Sequence, residues 1–273
     1  MNNKTIQQIS KEEMLAKYEG KDKVVSSFEK KKEIEEQKNK FFYVHSKIPS
    51  LDKSIDGFES GEMIIIAGAT GQGKTTIAQY LTNEFAQQHF KSLWFSYEVT
   101  PYQFFNKFQE LPLFYLPNIL AGKTLTWLED RIIEAKVKYD IKIVFIDHLH
   151  YLLNLSYNNN ITPEIDYIVR NLKLLCLKHN LILFLLCHLA KVRVDEELEN
   201  SHLRNSAMIA GEADTVLMVR RDRERENTTW LKVTKSRRIG VMDKKIPLLY
   251  KGGAVFEEIT DLEPVETKNL DLL

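Results

Sequence analysis

The sequence predicts an α/β fold, with a mostly parallel sheet flanked by helices and antiparallel strands added at the C-terminal edge of the sheet. Four continuous apolar runs, separated by helix-length segments, are typical of parallel strands buried on both faces. A glycine-rich turn follows the first of these runs and precedes a helical pattern. The last two β-rich runs are short and closely spaced, which indicates antiparallel strands. With 273 residues, the chain can form one large domain of this kind and a small appendage.

The first element is a charged arm, predicted over residues 1–40. Its segment Glu29 to Lys40 has few apolar side chains to bury. It is either a solvated helix that gains order against a neighbour or a disordered arm. The composition changes at Phe41 to Val44, so the second predicted domain covers residues 41–273.

The β-rich runs of this domain predict its strands in chain order. They read M-I-I-I-A, S-L-W-F-S-Y, I-K-I-V-F-I-D, L-I-L-F-L-L-C, T-V-L-M-V-R, W-L-K-V-T-K and K-I-P-L-L-Y. The segment after the first run carries apolar residues at Ile77, Leu81 and Phe85, a spacing that predicts a helix.

Composition limits the classes of partner. Lys plus Arg and Asp plus Glu both number 38, so any nucleic-acid contact must be local rather than the work of a global basic excess. Cys176 and Cys187 lie in apolar stretches at a spacing that suits no zinc site, and we interpret them as buried thiols. The sequence has no apolar run of about 18 residues and no apolar N-terminal segment, so we expect a cytoplasmic protein without a membrane partner.

The turn after the first run fits the phosphate-binding pattern G-x-x-x-x-G-K-[ST]. Backbone N–H groups of such a turn and the N-terminus of the next helix face phosphate oxygens, so the pattern predicts ATP as a cofactor. The alternative is a plain glycine turn, which the flanking strand and helix disfavour. The predicted nucleotide-binding residues are Gly68, Ala69, Thr70, Gly71, Gln72, Gly73, Lys74, Thr75 and Thr76.

Carboxylates end two of the other apolar runs. Asp147 is the last residue of I-V-F-I-D. We predict that Asp147 and the Thr75 hydroxyl bind Mg²⁺ together. Glu98 follows the second run, and we predict that it orients or deprotonates the attacking water. The alternative for Glu98 is a surface glutamate that opens a helix before Pro101.

The ordered set of motifs resembles the RecA-like ATPase core of hexameric replicative DNA helicases of the DnaB, phage primase-helicase and Twinkle types. The resemblance runs from about Ile48 to Glu257. It rests on L-D-K-S-I-D-G-F-E-S-G-E, the phosphate motif, F-S-Y-E, I-D-H-L-H, L-L-C-H-L, the segment Leu203 to Arg220 and K-S-R-R-I-G. It implies ATP-driven translocation on single-stranded DNA, duplex unwinding, a hexameric ring, and a primase or other replication proteins as partners. The arm would be the assembly element of that ring, and the short chain favours a phage or mobile-element replication protein.

The resemblance also implies roles for three further residues. His188 would sense the γ phosphate, Arg237 would be an arginine finger acting in trans, and Lys235 would be its companion. The alternatives are a structural histidine at a strand end and an ordinary edge strand with solvated cations. His148 and His150 flank the same site and receive no role beyond polar support.

The two loops that face DNA in this family would be Leu155 to Thr162 and Lys191 to Arg204. The second loop offers Lys191, Arg193 and Arg204 to DNA phosphates. It also carries Asp195, Glu196, Glu197 and Glu199, which phosphates would repel.

A second functional hypothesis is therefore a RecA-like ATPase that acts as a switch, a recombination mediator or a helicase-associated scaffold without unwinding. Neutral net charge and the acidic loop favour it, whereas Glu98 and the Lys235–Arg237 pair favour the helicase. A third hypothesis, a helicase loader of the AAA+ class, needs an asparagine sensor and an arginine in a helical lid, and the sequence offers neither.

Overall fold

The computed structural model describes residues 20, 23–36, 41–122, 124–153, 162–189, 197–203, 207–240 and 244–260. The chain divides into two compact units, Met1–Phe41 and Phe42–Leu273. The first unit contains helix α1 (Ser27–Glu36), which has no buried residue. In the described ranges, no helix combines the length and the apolar character needed to cross a lipid bilayer.

The second unit is built on a 9-stranded sheet and a 2-stranded sheet. The short sheet pairs β1 (Tyr43–Val44) with β2 (Phe58–Glu59). The strands of the large sheet are β3 (Met63–Gly68), β4 (Ser92–Ser96), β5 (Phe114–Tyr115), β6 (Ile143–Asp147), β7 (Ile182–His188), β8 (Thr215–Arg221), β9 (Thr228–Ser236), β10 (Lys244–Gly252) and β11 (Val255–Glu258). The helices are α2 (Pro49–Ile55), α3 (Lys74–Gln87), α4 (Pro101–Phe105), α5 (Leu125–Tyr139), α6 (Thr162–His179) and α7 (Ala207–Glu212).

The order of the strands in the large sheet is β11-β10-β9-β8-β3-β7-β6-β4-β5. The pairs from β8 to β5 are parallel, and those from β8 to β11 are antiparallel. All the predicted strands are present, and the antiparallel strands lie at the predicted edge. The sequence patterns did not predict the short strands β1, β2, β5 and β11.

Both faces of the parallel sheet are buried, which explains why its strands are continuously apolar. Met63 and Ile65 of β3 pack in one core with α5 and α6. Ile64 and Ile66 pack in the other core with α2 and α3, where Ile77, Leu81 and Phe85 form the predicted apolar face. Because β3, β7, β6 and β4 are parallel neighbours, their carboxyl ends meet at one edge of the sheet, where ligands of such folds bind.

Candidate active site

The glycine-rich turn between β3 and α3 has the backbone that a phosphate cradle needs. Gly71 has a φ of 77° and Gly73 a φ of 97°, in the left-handed region that favours glycine. A Cβ atom on Gly68 would lie 2.6 Å from the carbonyl oxygen of Val219 in β8, so this position accepts no side chain without a shift of the backbone. The loop thus closes tightly against its neighbouring strand. The other predicted residues of the turn and of the first turn of α3 are Ala69, Thr70, Gln72 and Thr76.

Lys74 begins α3, and its side chain is directed back over the cradle. Its Nζ donates to the Ala69 carbonyl at 3.1 Å and lies 3.1 Å from His188 Nδ1. Burial lowers the pKa of Lys74, while the carboxylates of Glu98 and Asp147 act in the opposite direction. The amine is therefore close to both carboxylates and to the glycine-rich turn.

Thr75 and Asp147 are in direct contact, although 72 positions separate them in the sequence. The Thr75 hydroxyl donates to Asp147 Oδ2 at 2.8 Å. Asp147 is fully buried, and burial raises the pKa of its carboxyl to about 6 against the opposing hydrogen bond from Thr75. Its other oxygen, Oδ1, has no hydrogen-bond partner in the described part of the chain. A hydroxyl beside a carboxylate with one oxygen left over is a donor set that fits Mg²⁺.

Glu98 lies two residues beyond β4 and is exposed. The backbone N–H of Tyr97 donates to the Asp147 carbonyl at 2.7 Å, which ties the exit of β4 to the end of β6. The Glu98 carboxylate contributes to the raised pKa of Asp147, so the two carboxyl groups are close neighbours. Glu98 thus combines access to solvent with proximity to the Thr75–Asp147 pair.

Three imidazoles gather at the same edge of the sheet. The rings of His148 and His188 are 4.2 Å apart between centroids, and His150 lies 5.9 Å from His188. His148 follows Asp147 through a cis peptide bond. Burial and the neighbouring imidazoles lower the pKa of His148 to about 3, so its ring is neutral near pH 7. The structure therefore places His148 and His150 beside the predicted sensor, at the site that the sequence predicts them to flank.

Lys235 and Arg237 contact the C-terminal end of α7. Lys235 Nζ donates to the carbonyls of Ala210 at 2.5 Å and Gly211 at 3.0 Å. Arg237 donates to the same Gly211 carbonyl at 2.9 Å and forms an ion pair with Asp214 at 3.2 Å. The two side chains thus lie on one side of the strand, as their alternation predicts.

This cation pair is remote from the cradle of its own chain. The backbone N–H of Asp214, which pairs with Arg237, donates to the carbonyl of Met63, the first residue of β3. The cradle follows Gly68, the last residue of that strand. At the usual rise of a strand, Met63 and Gly68 are roughly 16 Å apart. Arg237 therefore lies near the amino end of β3, whereas Lys74 follows its carboxyl end. The role of Arg237 in trans stays a prediction.

A pocket of about 430 Å³ adjoins the cradle at Gly73 and was not predicted. It is lined by residues 221–223 and 225–229 around the β8–β9 turn and by Tyr250 of β10. The backbone N–H of Arg221 donates to Gln72 Oε1 at 2.8 Å, which ties this turn to the cradle. An aromatic side chain beside a phosphate site suits the base of a nucleotide. No local sequence signal marks these residues, because 149 positions separate Arg221 from Gln72.

Most of the two predicted DNA loops lies outside the described residues, including Lys191, Arg193, Arg204, Asp195 and Glu196. Residues 197–203 of the second loop are described. Glu197 pairs with Lys232 at 3.1 Å and also contacts Lys245. Hydrogen bonds from these two lysines lower the pKa of Glu197. Its charge is therefore already matched by cations of β9 and β10.

Comparisons with known proteins agree with this arrangement. The family model described as the DnaB-like helicase C-terminal domain matches residues 44–111 and 103–253. The replicative DNA helicase DnaB of Rickettsia prowazekii is 24% identical over 216 residues, which cover 63% of this chain and 44% of that protein. The DnaB of Mycoplasma genitalium is 27% identical over 228 residues, 67% of this chain and 48% of that protein. The chain spans about half the length of these curated relatives.

Two solved structures share the fold. One, described as the ATPase domain of its protein, has a TM-score of 0.71 at 19% identity, covering 85% of this chain and 96% of that one. A DnaB-like replicative helicase, described with its interactions with primase, has a TM-score of 0.70 at 19% identity, covering 89% of this chain and 69% of that one. These likenesses confirm the predicted RecA-like fold class.

Proposed function

The chain belongs to the family of DnaB-like helicase C-terminal domains, and from this premise we propose that it hydrolyses ATP to move along single-stranded DNA and unwind duplex DNA. It would do so as a subunit of a hexameric ring, in the cytoplasm, with a primase or other replication proteins as partners. The observation that supports this proposal best is the contact between Thr75 and Asp147 at 2.8 Å, with Lys74 and Glu98 beside it. Cradle, metal-ligand pair and candidate base thus meet at one edge of the sheet.

Each of these residues has a task that its position supports. Lys74 would hold the β and γ phosphates, and Glu98 would orient and deprotonate the attacking water from the solvent side. Thr75 and Asp147 would hold Mg²⁺, which supplies positive charge to the phosphate oxygens when it is bound. His188, next to Lys74, would report the presence of the γ phosphate.

The hydrolytic site would be completed by a second copy of the chain. Arg237 and Lys235 contact the end of α7, and Arg237 lies beside the first residue of β3, whereas the cradle follows the last residue of that strand, roughly 16 Å away. A cation pair in that position would serve the phosphates of a neighbouring subunit. Arg237 of one subunit would then contact the γ phosphate that its neighbour binds.

The test is ATP hydrolysis with and without single-stranded DNA, on protein whose assembly state has been measured by light scattering. The helicase proposal expects a hexamer whose hydrolysis rises with DNA and which displaces a strand from a forked duplex. A rate of hydrolysis that is the same with and without DNA, together with no strand displacement, would favour the second hypothesis.

That second hypothesis is a RecA-like switch, recombination mediator or helicase-associated scaffold that does not unwind DNA. The balance of 38 basic and 38 acidic residues favours it, because a DNA motor needs cations for phosphates. The acidic second loop favours the same hypothesis. The pairing of Glu197 with Lys232 weakens that second argument, since one acidic charge of the loop is already neutralised.

The arm over residues 1–40 would be the assembly element. Among its described residues, the apolar side chains of Val24, Phe28 and Ile34 are exposed by 100%, 85% and 45%. A neighbouring subunit would cover such a surface. Deletion of residues 1–40 should leave a folded domain that binds nucleotide but is shifted toward monomers. An unchanged oligomer in light scattering would contradict this role.

A further inference from the structure

Three side chains of the kind that bind metal ions converge beside the Thr75–Asp147 pair. They are Glu98, His148 and His188, and one ligand atom of each lies within 4.8 Å of the others. They follow or end β4, β6 and β7, which are neighbours in the sheet. This convergence brings residues from three separate parts of the chain to one point.

The ligand types select the class of ion. Two imidazoles and one carboxylate suit borderline ions such as Zn²⁺ and Co²⁺, whereas Mg²⁺ prefers oxygen ligands alone. We propose that Glu98, His148 and His188 bind one zinc-class divalent ion, with a fourth position open to water or to a phosphate oxygen. This site is distinct from the oxygen site that Thr75 and Asp147 form for Mg²⁺.

The geometry requires little rearrangement. Bonds of about 2.0 to 2.2 Å around a tetrahedral ion place ligand atoms about 3.4 Å apart, so the three atoms need to close by at most about 1.4 Å. His148 is buried, and its Nδ1 has no hydrogen-bond partner in the described ranges. Glu98 is exposed and can make the movement.

Lys74 opposes the ion while the cradle lacks phosphate. Its Nζ lies 3.1 Å from His188 Nδ1, so its ammonium form repels a cation bound to that imidazole. Removal of this amine should therefore strengthen binding of the ion. That expectation concerns binding alone, and it holds whether or not the chain hydrolyses ATP.

A bound ion would engage the carboxylate that the proposed mechanism uses as a base. Zinc-class ions should therefore inhibit hydrolysis in the presence of Mg²⁺. This consequence rests on the proposed function of Glu98, whereas the binding site itself does not.

The experiment is a Co²⁺ titration of the full chain without nucleotide, followed by visible absorption, with Zn²⁺ as the competing ion. We expect one Co²⁺ per chain, displaced by one Zn²⁺. His148→Asn should weaken binding at least about tenfold, because loss of even a supporting group at a metal site costs that much. Glu98→Gln should weaken Co²⁺ binding as well. Because Glu98 is exposed, this variant should fold like the wild type.

The matched control is His89→Asn, since His89 is exposed and asparagine tolerates its positive φ of 65°. This variant should bind Co²⁺ like the wild type, and Lys74→Ala should bind it roughly tenfold more tightly. Absence of Co²⁺ absorption in both the wild type and Lys74→Ala overturns the proposal. Absorption that survives both His148→Asn and Glu98→Gln overturns it equally. A chain that binds Co²⁺ but never hydrolyses ATP contradicts the proposed function alone.

Discussion

Substitution of Arg237 by alanine separates a shared active site from a self-contained one. Roughly 16 Å from its own cradle, the Arg237 charge would interact with a phosphate charge by about 0.3 kcal/mol in water before salt screening. That energy corresponds to less than about a twofold change in rate. An arginine placed on the γ phosphate by a neighbouring subunit is worth about 10³ to 10⁵ in turnover. Arg237→Ala should therefore lower DNA-stimulated hydrolysis by about 10³ or more.

The substitution should leave the fold intact. The Arg237 side chain is 49% exposed, and its ion pair with Asp214 at 3.2 Å contributes at most about 1 kcal/mol to stability. Arg170→Ala is the matched control, because Arg170 is 61% exposed and pairs with Glu212, at the end of the same helix α7, at 3.4 Å. This control should keep full hydrolysis and DNA stimulation.

Mixing two inactive proteins completes the test. The Lys74→Ala protein lacks the lysine of the cradle but keeps Arg237. The Arg237→Ala protein keeps Lys74 but lacks the arginine. If subunits exchange before the assay, some interfaces combine an intact cradle with an intact arginine. Hydrolysis should then partly recover, as measured by phosphate release. Normal turnover of Arg237→Ala with DNA present, or no recovery after demonstrated exchange, refutes the shared site.

Two further predictions concern the carboxylates of the site. Glu98→Gln should bind Mg·ATP about as well as the wild type and lose turnover by about 10² to 10⁴, because the amide keeps the shape but cannot accept the proton; normal turnover would remove Glu98 from the mechanism. Because burial raises the pKa of Asp147 to about 6, its carboxyl is ionised above that pH and protonated below it. The Mg²⁺ affinity of the nucleotide complex should then fall about tenfold per pH unit below about 6. Asp147→Asn is the reference protein, because its Mg²⁺ affinity changes with pH only through the titration of the nucleotide. Equal pH profiles of the two proteins would contradict this reasoning.

The parallel strands and the cradle were predictable because their causes are local. A strand buried on both faces must be continuously apolar, and the left-handed backbone at Gly71 and Gly73 favours glycine. The meeting of Thr75 with Asp147 also followed, since the carboxyl ends of the parallel strands of one sheet lie on the same side of it. These inferences needed only short motifs and the rules of sheet geometry.

Features that depend on distant pairing were not predictable. The pocket beside Gly73 is completed by Tyr250, from the antiparallel edge of the sheet, and nothing around Tyr250 in the sequence indicates a nucleotide site. The pairing of Glu197 with Lys232 likewise depends on how the second loop passes over β9. The ring contact between His148 and His188 depended on the order of β6 and β7 in the sheet, although the sequence already predicted both at one site.

Asp214 pairs with two cations, Lys173 and Arg237, whose expected contributions to stability differ. Its Oδ2 accepts from the Met63 N–H at 2.7 Å and from Lys173 at 2.6 Å, and the Lys173 side chain is only 12% exposed. Breaking such a buried pair typically costs about 3 to 5 kcal/mol, because the remaining charge loses its partner. Asp214→Asn should therefore lower the free energy of unfolding in urea by roughly 3 kcal/mol, whereas Arg237→Ala should lower it by about 1 kcal/mol or less. If both substitutions destabilise the chain equally, Arg237 is a structural residue of this network. The large difference expected here would instead leave Arg237 with little structural role, consistent with a side chain whose main interaction lies across a subunit interface.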